Sequence, residues 1–186
     1  GGMGGSTGIG VQNAALRAAG APSTYGSYCT DHWDGTNWSA GGAVIQRRFD
    51  TGNAGTVNAA LLFGGRTYTP SLTAQTCTEE YNGTSWSGGG NLITARRALG
   101  GAGSQNAAIA YAGTNPSSVL SCVELYDGTA WSVSNGTTEA GIFPLNAGTQ
   151  NEALKSGGSA PGASATNEEW NGMTWVRAIS LPTAHT

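Results

Sequence analysis

Apolar positions along this chain fall into short runs broken by glycine, and two textures alternate. Small-residue runs such as AALLF (Ala59–Phe63) are followed by stretches in which apolar and polar positions alternate toward an aromatic, as in CTEEY (Cys77–Tyr81) and CVELY (Cys122–Tyr126). Runs of four to five residues bounded by turn signals predict strands, and the alternating ones predict strands with two unlike faces. After each alternating run stands Asp-Gly or Asn-Gly, and both residues tolerate positive φ, so a tight hairpin is predicted there. A further strand then starts at a tryptophan, Trp38 in the first case.

The pattern repeats. WDGTNW, YNGTSW, YDGTAW and WNGMTW begin at Trp33, Tyr81, Tyr126 and Trp170, and so lie 48, 45 and 44 residues apart. VQNAALRAAG, TVNAALLFGG, SQNAAIAYAG and TQNEALKSGG keep step with them and place Asn13, Asn58, Asn106 and Asn151 in one column. All six tryptophans occupy two columns of this repeat: Trp33, Tyr81, Tyr126 and Trp170 form the first, and Trp38, Trp86, Trp131 and Trp175 the second. Each unit reads as a glycine-rich strand, a small-residue strand, an alternating strand and a strand opened by the second aromatic. Four strands per unit at this period predict an all-β fold, a β-propeller of four four-stranded blades. One domain is expected over 1–186, with units at about 1–46, 47–94, 95–139 and 140–186. The two ends are in phase, since LPTAHT at the C-terminus corresponds to LITARR at Leu92–Arg97, so four blades are expected to close by packing of the first on the last, unless the chain is part of a longer array.

The order Gly-Gly, Glu-x-Tyr-Asp/Asn-Gly, Trp resembles kelch repeats along essentially the whole chain. It is carried by Gly64, Gly65, Glu79, Tyr81 and Trp86 in the second unit and by Gly113, Glu124, Tyr126 and Trp131 in the third. The outer units depart from it: Trp33 and Trp170 replace the tyrosine, and Ala19 replaces a glycine. Strings such as TEEYNGTSW and AGSQNAAIAYAG are similar to the low-charge kelch-like repeats of structural and fibre proteins in tailed, especially marine, bacteriophages. For the acidic column Asp31, Glu79, Glu124 and Glu168, the kelch resemblance implies a structural role, each acid pairing with an arginine such as Arg47 or Arg96 at a blade junction. The third unit has no arginine at that place and the fourth has His185, so the pairing is expected to be incomplete.

Composition supports this reading and removes several function classes. Glycine reaches 31 of 186 residues while charged residues are 10%, a balance suited to short strands and tight turns rather than helices. A net charge of −3 with a single lysine provides no electrostatic footprint for nucleic acid, and no apolar run reaches the ~20 residues of a membrane helix. The chain does not begin with Met and shows no signal peptide, so it is expected to be processed or an excerpt. The opening GGSTGIG (Gly4–Gly10) resembles the dinucleotide-binding turn of short-chain dehydrogenases. No strand precedes it, and a Tyr-x-x-x-Lys pair is impossible because the one lysine, Lys155, follows Asn151 at the required spacing. The same slot holds LGGAGSQ (Leu99–Gln105) and PLNAGTQ (Pro144–Gln150), so these glycines are expected to form inner strands near the axis.

Catalytic chemistry finds no support either. No G-x-S-x-G elbow occurs, and His32 stands where Glu80, Leu125 and Glu169 occur in other units, which reads as a tolerant surface position. Copies of the acidic column on neighbouring blades should lie too far apart to share a metal. Cys29, Cys77 and Cys122 share a column, so they are expected to be reduced, small apolar residues too distant for disulfides. Cysteine and histidine spacing excludes a zinc cluster, and no cofactor is expected. Asn37, Asn82 and Asn135 are glycosylation acceptors by sequence, but the first two are explained by turn geometry.

The hairpins are nearly uniform, whereas the opposite face carries loops of varied length and content: APSTYGSY, RTYTPSLTAQT, TNPSSVLS and SAPGASA. Recognition is expected on this face, with Tyr25, Tyr28, Arg66 and Tyr68 as the contact residues, because aromatics and arginine dominate contact energetics. The function expected is a non-enzymatic virion or extracellular surface module with structural and adhesive roles, a phage fibre or capsid-associated protein. Its partners would be other virion or surface proteins, further copies of itself, or a glycan or host receptor. The alternative is a lectin-like carbohydrate- or receptor-binding propeller not tied to a particle.

Overall fold

A computed structural model describes residues 5–20, 26–68, 72–159 and 162–182, with the backbone alone for Tyr68 and Leu72. The first sheet contains β1 (Thr7–Val11), β2 (Ala14–Ala18), β3 (Thr30–Trp33) and β4 (Trp38–Ala40). The second contains β5 (Gly52–Thr56) and β6 (Ala59–Phe63), then, after a small hairpin of β7 (Arg66–Tyr68) and β8 (Leu72–Ala74), β9 (Thr78–Tyr81) and β10 (Trp86–Gly88). The third runs through β11 (Gly100–Ser104), β12 (Ala107–Tyr111), β13 (Val123–Tyr126) and β14 (Trp131–Ser134), and the fourth through β15 (Leu145–Gly148), β16 (Ala153–Ser156), β17 (Asn167–Trp170) and β18 (Trp175–Arg177). All four sheets are antiparallel with strands in chain order, and they are arranged as the blades of a four-blade β-propeller. Residues 7–10 of the GGSTGIG segment lie in the innermost strand of blade 1, as the repeat required.

The hairpin expected between third and fourth strands forms in every blade. Trp33 pairs with Trp38, Tyr81 with Trp86, Tyr126 with Trp131 and Trp170 with Trp175, so each loop has four residues. Its first residue folds the loop by its side chain: Asn82 Oδ1 accepts from the N–H groups of Thr84 (3.0 Å) and Ser85 (2.9 Å), and Asp34, Asp127 and Asn171 do the same. Only the glycine needs positive φ, for example 90° at Gly83. The amides hold the Asp34 and Asp127 carboxyls below the ordinary carboxylate range.

Three apolar layers lie between successive blades. Ile9, Leu16 and Ala18 of blade 1 meet Ala60, Leu62, Tyr81 and Trp86 of blade 2. Ala54, Leu61 and Phe63 meet Ala108, Ala110, Tyr126 and Trp131. Ala102, Ile109, Tyr111 and Val123 meet Ala153, Trp170 and Trp175. The inner strands need small residues because they pack directly on one another: β5 lies against both β1 and β11, and β11 against β15. A Cβ on Gly101 would stand 2.6 Å from Asn53 O of the neighbouring inner strand, so the backbones approach as closely as they do only because that side chain is absent.

Candidate functional site

The repeat columns become a set of junction devices. Arg48 is fully buried, and its Nη2 lies 3.0 Å from Glu79 Oε1, while its Nη1 donates to Cys77 O (2.7 Å) and contacts Cys77 Sγ. Arg96 repeats this on the next blade, with Glu124 Oε1 at 3.0 Å, Cys122 O at 2.7 Å and Cys122 Sγ at 2.8 Å. Burial pulls the Arg96 guanidinium pKa down in spite of Cys122 and Glu124, and pushes both thiols up in spite of the adjacent arginines. Each carboxylate also accepts two backbone N–H groups from the preceding loop: Ile45 and Gln46 for Glu79, Ile93 and Thr94 for Glu124. The arginine of the second unit is therefore Arg48 rather than Arg47, which stacks over the Tyr28 ring at 5.9 Å. The 48-residue step of the hairpins maps Arg48, not Arg47, onto Arg96.

In the outer units the cation arrives by another route. Asp31 pairs with Arg17 on β2, and Glu168 pairs with Lys155 on β16, both buried in the second case. Arg17 and Lys155 share the repeat column of Leu62 and Ala110. The units without a loop arginine thus carry their cation on the second strand, a compensation visible in the aligned repeats. Among the described residues no three His, Cys, Asp or Glu side chains converge as for a metal ion, and no helix is long and apolar enough to cross a membrane.

His32 is a junction residue rather than a tolerant surface position. Its Nε2 lies 2.7 Å from Tyr81 Oη of the next blade, and in the same column Glu80 Oε1 accepts from Tyr126 Oη at 2.6 Å. Burial and that bond push the Tyr126 pKa up to about 12. Trp33 and Trp170, standing in for tyrosine, instead donate within their own blades to Gln12 O and Gln150 O. The cysteine column also divides: all three thiols are free, but Cys29 is exposed because no preceding arginine covers it. With a thiol reagent, Cys29 is expected to react at once in the native protein, and Cys77 and Cys122 only after denaturation. Immediate reaction of all three would contradict the buried arginine–thiol contacts.

On the variable-loop face the blades are laced together around the axis. Gly5, Asp50, Ala98 and Phe143 occupy one column just ahead of the inner strands, and all four adopt left-handed φ of 67°, 57°, 53° and 51°. Asp50 N–H donates to Gly5 O (3.2 Å), Ala98 N–H to Asp50 O (2.8 Å) and Phe143 N–H to Ala98 O (2.8 Å). Three non-glycine residues in this region, one of them bulky, hold strain that the surrounding packing must offset. They rim an axial depression of about 220 Å³, with the Phe143 ring 54% exposed at its edge. Beside it Asp50 pairs with Arg66 Nε at 2.7 Å, and Arg66 covers the Phe49 ring at 4.5 Å. Burial raises the Asp50 carboxyl pKa in spite of the nearby Arg66 and Arg97.

Of the four residues expected to make contacts, Tyr28 is exposed on this face under Arg47, and Arg66 is committed to Asp50 and Phe49. Tyr25 lies outside the described residues, as does His185, and Tyr68 is described only as the last residue of β7. Sequence reasoning missed the axial column, because Asp50, Ala98 and Phe143 share no chemistry and only a backbone conformation unites them.

No protein-family model matches the chain, and no curated protein matches it. A solved structure, that of YjhT, superposes on 97% of this chain with a TM-score of 0.80 at 12% identity. The fold is a β-propeller. The chain spans about two-thirds of the solved protein it matches, 66% of its length.

Proposed function

We propose that this propeller, whose repeats are of the kelch-like type, is a non-enzymatic surface module with structural and adhesive roles, a fibre or capsid-associated protein of a tailed bacteriophage. The observation that carries the reading is the contrast between its two faces. The uniform hairpins and the buried ion pairs build a scaffold, and sequence variety is concentrated in loops that backbone bridges such as Ser27–Arg48, Phe49–Arg66 and Ile142–Ser159 hold in place. Variable loops on a rigid frame are a common design for recognition. The exposed Tyr28 ring with Arg47 above it, and Phe143 at the axial rim, favour a second reading as a glycan- or receptor-binding module not tied to a particle.

The two readings separate in one experiment. Native source material is fractionated on a density gradient and probed for this chain, and the purified protein is tested against glycans as wild type, Tyr28→Ala and Tyr68→Ala. Banding with DNA-containing particles supports the virion module. A soluble chain whose glycan binding is lost in either variant supports the lectin-like reading. A soluble chain without glycan binding removes both.

A further inference from the structure

Two side-chain contacts recur at the blade junctions, each at two of the three, and the two halves of each are present at the ends of the array. Gln105 Nε2 of blade 3 donates to Ala60 O (3.0 Å) and Tyr81 O (2.8 Å) of blade 2, and Gln150 Nε2 of blade 4 donates to Ala108 O (3.1 Å) and Tyr126 O (2.6 Å) of blade 3. Trp86 Nε1 donates back to Thr30 Oγ1 (2.9 Å) and Trp131 Nε1 to Thr78 Oγ1 (3.0 Å). In these columns blade 1 contributes Gln12 and Trp38, both exposed, and the Trp38 ring is 56% exposed against 7%, 6% and 5% for Trp86, Trp131 and Trp175.

Blade 4 holds the matching half. The groove that Gln150 enters on blade 3 recurs on blade 4 as an open cavity of about 550 Å³ lined by Ala153, Leu154, Glu169 and Trp170. Asn167 stands where Thr30 and Thr78 stand, and its Oδ1 is buried without a hydrogen-bond donor. Leu154 is 38% exposed, whereas its counterparts Leu16, Leu61 and Ile109 are covered to within 1%. Among the described residues β15 does not pack on β1 as the other inner strands pack on their neighbours, and the axial series of backbone bonds stops at Phe143.

We infer that the blade 4 face receives blade 1 of a second copy of this chain, head to tail. Gln12 Nε2 would donate to Ala153 O and Trp170 O, and Trp38 Nε1 to Asn167 Oδ1, while the indole covers blade 4 as Trp131 covers blade 3. The occupant follows from register: both exposed donors lie on blade 1, both sets of acceptors lie on blade 4, and each pair falls in a column already used twice within the chain. A head-to-tail contact of this kind closes into a ring or runs on as a filament. The inference is independent of the loop-face reading above, since it uses neither the loops nor the axial depression.

The test uses the whole chain and two variants at exposed positions, Trp38→Arg and Leu154→Arg, with circular dichroism confirming that each is folded. In sedimentation over a concentration series the wild type is expected to form species heavier than the monomer, and each variant alone to lose them. A mixture of the two is expected to recover one species of twice the monomer mass, because each variant retains the face the other lacks. A wild type that stays monomeric throughout overturns the inference, whether its faces meet each other or are capped by another repeat. Self-association that survives both substitutions overturns it as well.

Discussion

Replacing Arg96 with methionine is expected to destabilise the protein by about 3–5 kcal/mol, the usual cost of removing one partner from a buried ion pair. Arg96 and Glu124 have side-chain exposures of 0% and 1%, so neither charge has water to fall back on. The guanidinium also satisfies Cys122 O, and the carboxylate also orders the Ile93 and Thr94 N–H groups of the preceding loop. A second substitution, Glu124→Leu, should therefore return only part of the loss: it removes the orphaned charge, but leaves two loop amides and a carbonyl without partners. Arg17→Met in blade 1 is the control. Its side chain is 40% exposed and Asp31 24% exposed, and an ion pair open to solvent contributes at most about 1 kcal/mol. Urea unfolding of the three variants measures the series. A cost below about 1 kcal/mol for Arg96→Met would show that the loop amides alone hold Glu124.

The same columns show how much the sequence carried. Tryptophan and turn spacing located every blade, and the acidic column announced ion pairs, because repeats place equivalent residues in similar environments. The cation was harder to place. Arg47 and Arg48 are adjacent, and only the 48-residue step separates them; Arg17 and Lys155 become visible once Leu62 and Ala110 are aligned with them. Tyrosine in the inner units and tryptophan in the outer ones also has a reading: the Tyr81 and Tyr126 hydroxyls reach across a junction, while Trp33 and Trp170 bond to their own blades. The left-handed axial column was not legible, since aspartate, alanine and phenylalanine have no common preference for positive φ. Ends in phase allow either closure of blade 1 on blade 4 or a place in a longer array. The phase of a repeat fixes the order of its blades, but curvature depends on the small rotation per junction, which the repeat pattern does not encode.

That distinction sets the largest contrast expected within a single column. Trp131→Ala should cost about 3–5 kcal/mol, the range for truncating a buried aromatic. Its ring lies edge-on to Phe63 of blade 2 with centroids 4.9 Å apart, packs on Tyr126 at 4.9 Å, and donates to the Thr78 hydroxyl. The truncation opens a cavity at the junction and strands a hydroxyl on a residue only 2% exposed. Trp38→Ala, at the same position of blade 1, removes a ring 56% exposed whose neighbours are Trp33 at 5.6 Å and the Arg17 guanidinium at 5.9 Å. It should cost about 1 kcal/mol or less at concentrations where the chain is monomeric, as expected of an exposed side chain. Both are read from urea unfolding at low protein concentration. Equal losses at the two positions would mean that Trp38 is buried against blade 4 of its own chain, a closed ring of four; a large loss at Trp131 alone places the seam between blades 4 and 1.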